Sequence, residues 1–353
     1  MSDGFSIAVD VMGGDFGPSI TVPACVSFLI KNPTHKIIAV GDTDQIIKSI
    51  QSISKNHLKQ ASVSFSEQSS RMSIKHTSEV VSMDDPPSVA LKSRRNSSMW
   101  KSIEILKKGH AGGVVSAGNT GALMVISRYL LKTLDGIDRP AIASSLPNRA
   151  GTATTVLDLG ANVECSAQQL FQFALMGSAL VSVVDQIARP SVGLLNIGEE
   201  NIKGNDVVKA AGDILRSSNL NFIGNVEGDD IFKGTSNVIV CDGFVGNVAL
   251  KTSEGLAQMV GAVLKEEYNS TFFSKLAAFM SIQVLKRFAS KLDHRRYNGA
   301  ALLGLKGVVY KSHGSADTYS FANAIERAAD AAGNGLNEKI MHAISKNSIL
   351  QNK

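Results

Sequence analysis

Short runs of apolar and β-branched residues alternate along this chain with longer stretches in which apolar residues recur every three or four positions. The first pattern predicts buried β-strands, and the second predicts helices with one apolar face. Predicted strands lie near residues 7–11, 36–40, 62–65, 113–116, 141–146, 154–159, 192–197, 221–224, 238–241 and 308–311. Predicted helices lie near residues 18–30, 119–131, 166–184, 206–216, 245–267 and 316–332.

This alternation of strand and helix is typical of an α/β fold in which helices cover both faces of a mainly parallel sheet. The pattern therefore predicts a three-layer α/β/α sandwich with ligands at the carboxyl ends of the strands. No linker or break in composition divides the 353 residues, so we expect one domain over residues 1–353.

Six short turns that contain Gly, most of them paired with Asn or Asp, follow the predicted strands. They lie at residues 10–18, 116–122, 158–162, 196–205, 223–230 and 241–247. Gly and Asn suit any tight turn, but N–H groups that open a helix also bind anions such as phosphate. Because six such turns occur on alternating elements, we interpret them as parts of a phosphate site.

Two of these turns are the strongest candidates for holding phosphate. The first places Gly13 and Gly14 between a strand and a helix, where the backbone can approach a ligand closely. The turn at residues 116–121 supplies a hydroxyl, an amide and several N–H donors at a helix start. Its candidate residues are Ser116, Gly118, Asn119, Thr120 and Gly121.

Four further polar residues are candidates for the chemistry. Lys203 and Asn205 follow an apolar strand, and a lysine there suits phosphate or a developing oxyanion, or it is merely solvated. Asn247 either donates to a carbonyl oxygen or caps a helix. His313 is a general base, a phosphate donor or a structural histidine.

Several classes of chemistry lack their usual motifs here. The chain has no G-x-x-x-x-G-K-[ST] loop, no G-x-G-x-x-G at the first helix, no H-E-x-x-H and no G-x-S-x-G. The seven scattered histidines predict no metal site. Three widely spaced cysteines and the lack of a secretory signal predict a cytoplasmic protein. Cys241, which lies beside Asp242, is an alternative candidate for a nucleophile.

Residues 268–297 interrupt the alternation. The segment reads as an amphipathic helix, and residues 275–296 carry six Lys or Arg and one acidic residue, which matches the net charge of +5 of the whole chain. Its longest uncharged run has ten residues, whereas a bilayer span needs about twenty. We expect it to rest on an anionic membrane or to pack on a dimer partner. The candidate contacts are Phe272, Phe273, Phe279, Lys286 and Arg287.

Taken in order, these motifs resemble the bacterial phosphate acyltransferase family of phospholipid synthesis, PlsX. The matching blocks are IAVDVMGGDFGP (7–18), RRNSSM (94–99), SAGNTGALM (116–124), DRPA (138–141), DLGANVE (158–164), GLLNIGEENIKGN (193–205), NFIGNVEG (221–228), CDGFVGNVALKTSEG (241–255) and GLKGVVYKSHGSAD (304–317).

The resemblance implies transfer of a long-chain fatty acyl group from acyl carrier protein to inorganic phosphate, with Lys203 and Asn247 at the family's proposed active-site positions. It implies a fold like that of phosphotransacetylase and of isocitrate and isopropylmalate dehydrogenases. It further implies a homodimer on the inner membrane surface, a downstream glycerol-3-phosphate acyltransferase that uses the acyl phosphate, and no nucleic-acid partner. The basic segment would then also attract the acidic carrier protein.

No cofactor is expected, because a thioester and an acyl phosphate are both activated and positioning suffices for their exchange. Two other readings remain open. One is a phosphotransacetylase or an NAD-dependent decarboxylating dehydrogenase on the same scaffold. The other is a membrane-surface module that binds acyl chains or carrier protein without turnover.

Overall fold

One sheet of 11 strands runs through the part of the chain that the computed structural model describes, which is residues 4–56, 70–291 and 293–351. The strands are β1 (Ser6–Asp10), β2 (Lys36–Gly41), β3 (Met72–His76), β4 (Gly113–Ser116), β5 (Ala141–Pro147), β6 (Ala153–Leu157), β7 (Ser191–Leu195), β8 (Asn221–Val226), β9 (Val238–Val240), β10 (Ala300–Leu303) and β11 (Val308–Lys311).

Helices connect most of these strands. They are α1 (Pro18–Lys31), α2 (Thr43–Asn56), α3 (Pro87–Ser93), α4 (Ser98–Lys107), α5 (Thr120–Leu131), α6 (Ala167–Val184), α7 (Asp206–Arg216), α8 (Asp230–Lys233), α9 (Gly243–Ser270), α10 (Phe272–Met280), α11 (Ile282–Lys291), α12 (Thr318–Gly333) and α13 (Leu336–Gln351), with a 3₁₀ helix at His294–Tyr297.

The strand order is β3-β2-β1-β4-β11-β10-β5-β6-β9-β7-β8. Strands β3, β2, β1, β4 and β11 form one parallel block, and β6, β9, β7 and β8 form a second. Three antiparallel pairings, β11 with β10, β10 with β5 and β5 with β6, join the blocks. Because the direction reverses at each of these pairings, the two blocks run in opposite directions.

This reversal divides the predicted turns between two edges of the sheet. The turns after β1, β4 and β11 lie at one edge, here called the β1 edge. The turns after β6, β9 and β7 lie at the opposite edge, here called the β9 edge. The predicted α/β architecture is confirmed, but its turns do not all meet at one end of the sheet.

Alternate residues of each strand face the two helical layers. Ile7 and Val9 of β1 pack into a core with α1, α6 and α12, whereas Ala8 packs into a second core with α4 and α5. A third core, on the same side as the second, packs β6 and β9 against the first turns of α9. Met124 of α5 lies against both the second and the third core, so α5 and α9 both border the third core on this face.

Most predicted elements occur within a few residues of their predicted bounds. The strands β3 and β10 were not predicted, and neither were helices α2, α3, α4, α8 and α13. The strand predicted near residues 62–65 lies outside the described residues.

The segment at residues 268–297 contains the end of α9, then α10, α11 and the 3₁₀ helix. Many of its apolar side chains are exposed, including Phe272, Phe273 and Phe279. Among the described residues, only α6 is long and apolar enough to cross a membrane. Most of α6 is buried in the core between α7, α13 and the sheet, so it is a core helix.

Candidate active site

Three turns converge at the β1 edge because β4 pairs with both β1 and β11. The N–H of Asp15, in the turn after β1, donates to the carbonyl of Gly314, in the turn after β11, at 2.9 Å. The N–H of Ser312 donates to the carbonyl of Ser116 at 2.9 Å. The first turn, the turn at residues 116–121 and the turn that contains His313 therefore form one surface.

Gly13 and Gly14 allow these turns to approach one another. A Cβ at Gly13 would lie 2.7 Å from the backbone nitrogen of Gly118, which no real Cβ tolerates. Gly14 has a φ of +88°, and a Cβ there would lie 2.9 Å from both the Cβ of Ala117 and the carbonyl oxygen of Gly314. Both predicted glycines thus serve the close packing of backbone at this edge.

A buried carboxylate organises the turn at residues 116–121. The hydroxyl of Ser116 donates to Oδ2 of Asp10 at 2.7 Å and accepts from the N–H of Gly118 at 3.1 Å. Asp10 is 1% exposed, and this burial raises its pKa. The nearby Ser98 and Ser116 hydroxyls and the N–H groups of Met12 and Gly13 lower the pKa, but by less than burial raises it. Its Oδ1 and the Ser98 hydroxyl have no partner in normal hydrogen-bond geometry.

Lys311, the last residue of β11, places a buried ammonium behind the same turn. It is 8% exposed, and its Nζ donates to the carbonyl of Ala117 at 3.1 Å and to that of Ser312. Burial lowers its pKa to about 8, against the opposing effect of the Asp15 and Asp10 carboxylates. The ammonium offsets the negative charge that these two carboxylates would otherwise present to an anion.

The structure narrows the set of candidate phosphate donors. The N–H of Gly118 already donates to Ser116. The side chain of Asn119 caps α5 by accepting from the N–H of Ala122 at 3.0 Å, and its amide donates to the carbonyls of Met83 and Asp85. What remains for an anion is the backbone N–H groups of residues 119–121 and the exposed hydroxyl of Thr120, at the start of a 12-residue helix.

His313 is exposed at the same edge. Its backbone N–H donates to Oδ1 of Asn298 at 3.1 Å, and its Nδ1 lies 2.9 Å from the hydroxyl of Ser315. The next residue, Gly314, accepts from the N–H of Asp15, so the backbone at His313 lies next to the first turn.

The β9 edge is built around a second buried carboxylate. Asp158 follows β6 and accepts from the N–H groups of Ile142, Ala161 and Asn162 at 2.7 to 3.1 Å. Burial raises its pKa, while these hydrogen bonds act in the opposite sense. The carbonyl of Asn162 in turn accepts from the N–H of Gly243 at 2.7 Å, which fixes the start of α9 against the loop after β6.

Asn247 lies in the first turns of α9 with its side chain exposed. Asp242, not Asn247, caps the helix, since its Oδ1 accepts from the N–H of Val245 at 2.8 Å. Asn247 therefore does not cap α9. A Cβ added to Gly160 would lie 3.6 Å from the Asn247 side chain, so this side chain lies over the turn that contains Gly160.

Lys203 is exposed in the loop after β7, beside Gly198 and Glu200. Because β7 and β9 are hydrogen-bonded neighbours, this loop and the start of α9 lie side by side at the β9 edge. Asn205 caps α7 by accepting from the N–H of Val208 at 2.9 Å. Its Oδ1 is thus used at the helix start, and the exposed amide NH2 is the group that it could offer to phosphate.

The cysteines do not provide a nucleophile. Cys241 is buried, and burial raises the pKa of its thiol far above the usual range, with the nearby Asp242 and Asp158 carboxylates acting in the same sense. Burial also raises the pKa of Cys165, to about 11. Since the thiolate is the reactive form, burial disfavours a nucleophilic role for both thiols.

A cavity of about 560 Å³ lies at the β9 edge, next to the loop after β6. Its lining residues are Arg139, Val163, Glu164, Cys165 and Ser166. Across residues 4–56, 70–291 and 293–351, no group of three or more His, Cys, Asp or Glu side chains could hold a metal ion.

The site therefore has two parts that begin at opposite edges of the sheet. Ser116, Gly13, Gly14 and His313 belong to the β1 edge, and the Lys203 loop and Asn247 belong to the β9 edge. Sequence reasoning missed Lys311, because a lysine at the end of an apolar strand is normally exposed. The pairing of Asp10 with Ser116 was also missed, since 106 positions separate the two residues.

The sequence is similar to a known protein family and to known enzymes. The fatty acid synthesis protein family matches the chain over residues 5–339. A phosphate acyltransferase of Cupriavidus taiwanensis is 54% identical over 343 residues, which cover 97% of this chain and 92% of the relative. A phosphate acyltransferase of Delftia acidovorans is 55% identical over 344 residues, which cover 96% of this chain and 94% of the relative.

Solved structures share the fold at low sequence identity. A phosphotransacetylase from Streptococcus pyogenes superposes with a TM-score of 0.60 at 16% identity, over 93% of this chain and 94% of the other. A 4-hydroxythreonine-4-phosphate dehydrogenase from Burkholderia phymatum gives a TM-score of 0.51 at 13% identity, over 93% of this chain and 98% of the other.

Proposed function

Since the chain belongs to the fatty acid synthesis protein family and is closely related to phosphate acyltransferases, we propose that it transfers a long-chain fatty acyl group from acyl carrier protein to inorganic phosphate. The product is an acyl phosphate for glycerophospholipid synthesis. The observation that carries this proposal is the turn at residues 116–121, where free N–H groups at a helix start lie beside the buried ammonium of Lys311.

The proposed reaction is a direct exchange. A phosphate oxygen attacks the thioester carbonyl carbon, the carbonyl oxygen becomes an oxyanion, and the carbon–sulfur bond then breaks to release the carrier thiolate. A proton from solvent neutralises the thiolate. Phosphate is already a nucleophile and the thioester is already activated, so the protein needs to position the two and to stabilise negative charge.

Each part of the site has a proposed role in this exchange. The N–H groups of residues 119–121 hold phosphate at the β1 edge, with His313 as a further donor. Asn247 and Lys203 donate to the oxyanion and to phosphate charge from the β9 edge. Both side chains are exposed, and the loop that carries Lys203 lies beside the start of α9, which supports a joint role.

The first test is a donor comparison. The purified protein is incubated with phosphate and either a long-chain acyl carrier protein thioester or the matching acyl-coenzyme A, and acyl phosphate is detected by mass. We expect product with the carrier thioester at a rate well above that with coenzyme A. Product from coenzyme A alone would instead favour a phosphotransacetylase, and no product from either donor would remove the enzymatic assignment.

We further propose that the protein is a homodimer that rests on the cytoplasmic surface of the inner membrane and delivers acyl phosphate to a glycerol-3-phosphate acyltransferase. The exposed apolar residues of α9, α10 and α11 support this. Phe272, Phe273 and Phe279 are each more than 70% exposed, and the basic Lys286 and Arg287 follow on α11. Aromatic rings that insert into the lipid, together with basic side chains at its surface, give reversible binding to an anionic membrane.

Vesicle flotation tests the membrane part of this proposal. A variant with Phe272, Phe273 and Phe279 replaced by Ser should stay at the bottom of the gradient with anionic vesicles, while a Phe244→Ser variant should float with the wild type. Phe244 is a matched control because it is also exposed but lies at the opposite end of α9. Flotation of the triple variant would refute the lipid contact.

A further inference from the structure

Helix α9 carries a lysine close to Asn247. It begins at the β9 edge with Asn247 in its second turn, and its residues Ala249 and Leu250 pack on the core formed by β6 and β9. Lys251 comes one turn after Asn247, so the two side chains lie on one flank of the helix, with Cβ atoms about 6 Å apart. Beyond these first turns, residues 255–267 of α9 are exposed.

Two observations place Lys251 near the β1 edge. Met124, in the second turn of α5, packs on the same core as Leu250, so the first turns of α5 and α9 border one core. The charge of Lys251 also reaches Lys311 and acts with burial to lower the pKa of Lys311. The Nζ of Lys311 is itself bonded to the carbonyl of Ala117, within that turn.

Resting on the proposed function, we propose that Lys251 binds phosphate directly, so that its ammonium and the N–H groups of residues 119–121 hold the same anion from two sides. An anion that lies between two ammonium groups is attracted by both of them. The carboxylates that face Lys311 are Asp10 and Asp15, and one of them, Asp10, is hydrogen-bonded to Ser116.

Lys251 is available for this role. It is exposed, and its Nζ pairs with Glu254 at 2.8 Å, three positions along the helix. An exposed pair of this kind is weak, so a phosphate dianion can replace the Glu254 carboxylate or share the ammonium with it. Phosphate would then lie within one helical turn of Asn247, which places the nucleophile next to the oxyanion donor.

Three variants test the proposal: Lys251→Met, Lys251→Arg and the control Lys107→Met. Lys107 is an exposed lysine at the end of α4 that this account gives no role. We expect Lys251→Met to weaken binding of inorganic phosphate, measured by calorimetry, and to raise the KM for phosphate by about 10-fold or more, the effect of one charge-assisted hydrogen bond. The KM for the acyl donor should stay unchanged, Lys251→Arg should restore part of the affinity, and Lys107→Met should match the wild type.

The outcomes separate this inference from the proposed function. A wild type that binds phosphate but makes no acyl phosphate would refute the proposed function, while the calorimetric comparison would still decide the role of Lys251. Unchanged phosphate affinity in Lys251→Met would overturn the inference, as would a wild type that binds no phosphate. A rise in the KM for the acyl donor alone would overturn it too, because Lys251 would then contact the other substrate.

Discussion

Replacement of Gly246 by Ala tests whether the position of Asn247 depends on the contact between α9 and the loop after β6. A Cβ at Gly246 would lie 1.9 Å from the carbonyl oxygen of Asp158 and 2.9 Å from Sγ of Cys241. The Asp158 carbonyl belongs to the backbone and its carboxylate is held by three N–H groups, so it cannot rotate away. The start of α9 must therefore move by at least about 1 Å to reach a normal contact distance.

The expected cost follows from this displacement. Overpacking of a well-filled site lowers the free energy of unfolding by about 1 to 3 kcal/mol. A misplacement of about 1 Å at a catalytic group can lower the rate about 100-fold. We therefore expect Gly246→Ala to remain folded, with a lower Tm, and to lose about 100-fold in kcat because Asn247 moves with the helix.

Steady-state kinetics of acyl phosphate formation and thermal unfolding measure the two effects. Gly255→Ala is the matched control, since Gly255 lies on the same helix and a Cβ there meets nothing within 4 Å. Ala is the better helix former by about 1 kcal/mol, so the control should keep its rate and gain slightly in Tm. A Gly246→Ala protein with wild-type kcat and Tm would show that the position of Asn247 does not depend on this contact.

Further predictions concern the charged and polar groups of the site. Asn247→Ala and Lys203→Ala should each lower kcat about 100- to 1,000-fold, the cost of one oxyanion donor, with an unchanged Tm because both side chains are exposed; a wild-type rate in either variant would remove that residue from the mechanism. Lys311 has a pKa of about 8 when folded, against 10.5 for its ordinary value. The unfolded chain thus binds more protons between these pH values, and the free energy of unfolding should rise by up to about 3 kcal/mol from pH 8 to 10.5. Denaturant titrations at each pH should show this rise in the wild type and not in Lys311→Met, and equal slopes would contradict it.

Much of the fold could be predicted because many strands are unbroken apolar runs that end at Gly or Asn. The bounds of β4 and β11 match the prediction. The strand β3, with the sequence MSIKH, was missed because it has two polar side chains and one charged side chain among five residues. The reversal of direction between the two halves was not predictable, since it depends on which distant strands pair with β10 and β5.

The candidate site could be predicted less completely than the fold. Gly and Asn mark the turns, but the same residues cap helices, and only the structure assigns Asn119 and Asn205 to capping. The burial of Lys311 depends on three turns that are distant in sequence. Nothing in a local pattern reports such a contact, so the ammonium behind the phosphate turn could not be inferred from the sequence.

We expect an oxygen of phosphate, and not water, to attack the acyl carbon of the thioester. The most direct measurement uses acyl carrier protein thioester with phosphate in which every oxygen is ¹⁸O, and follows the acyl phosphate by mass. We expect the product to retain all four labelled oxygens of phosphate and free carrier thiol to appear in equal amount. Release of the carrier with unlabelled free fatty acid and no labelled acyl phosphate would contradict it.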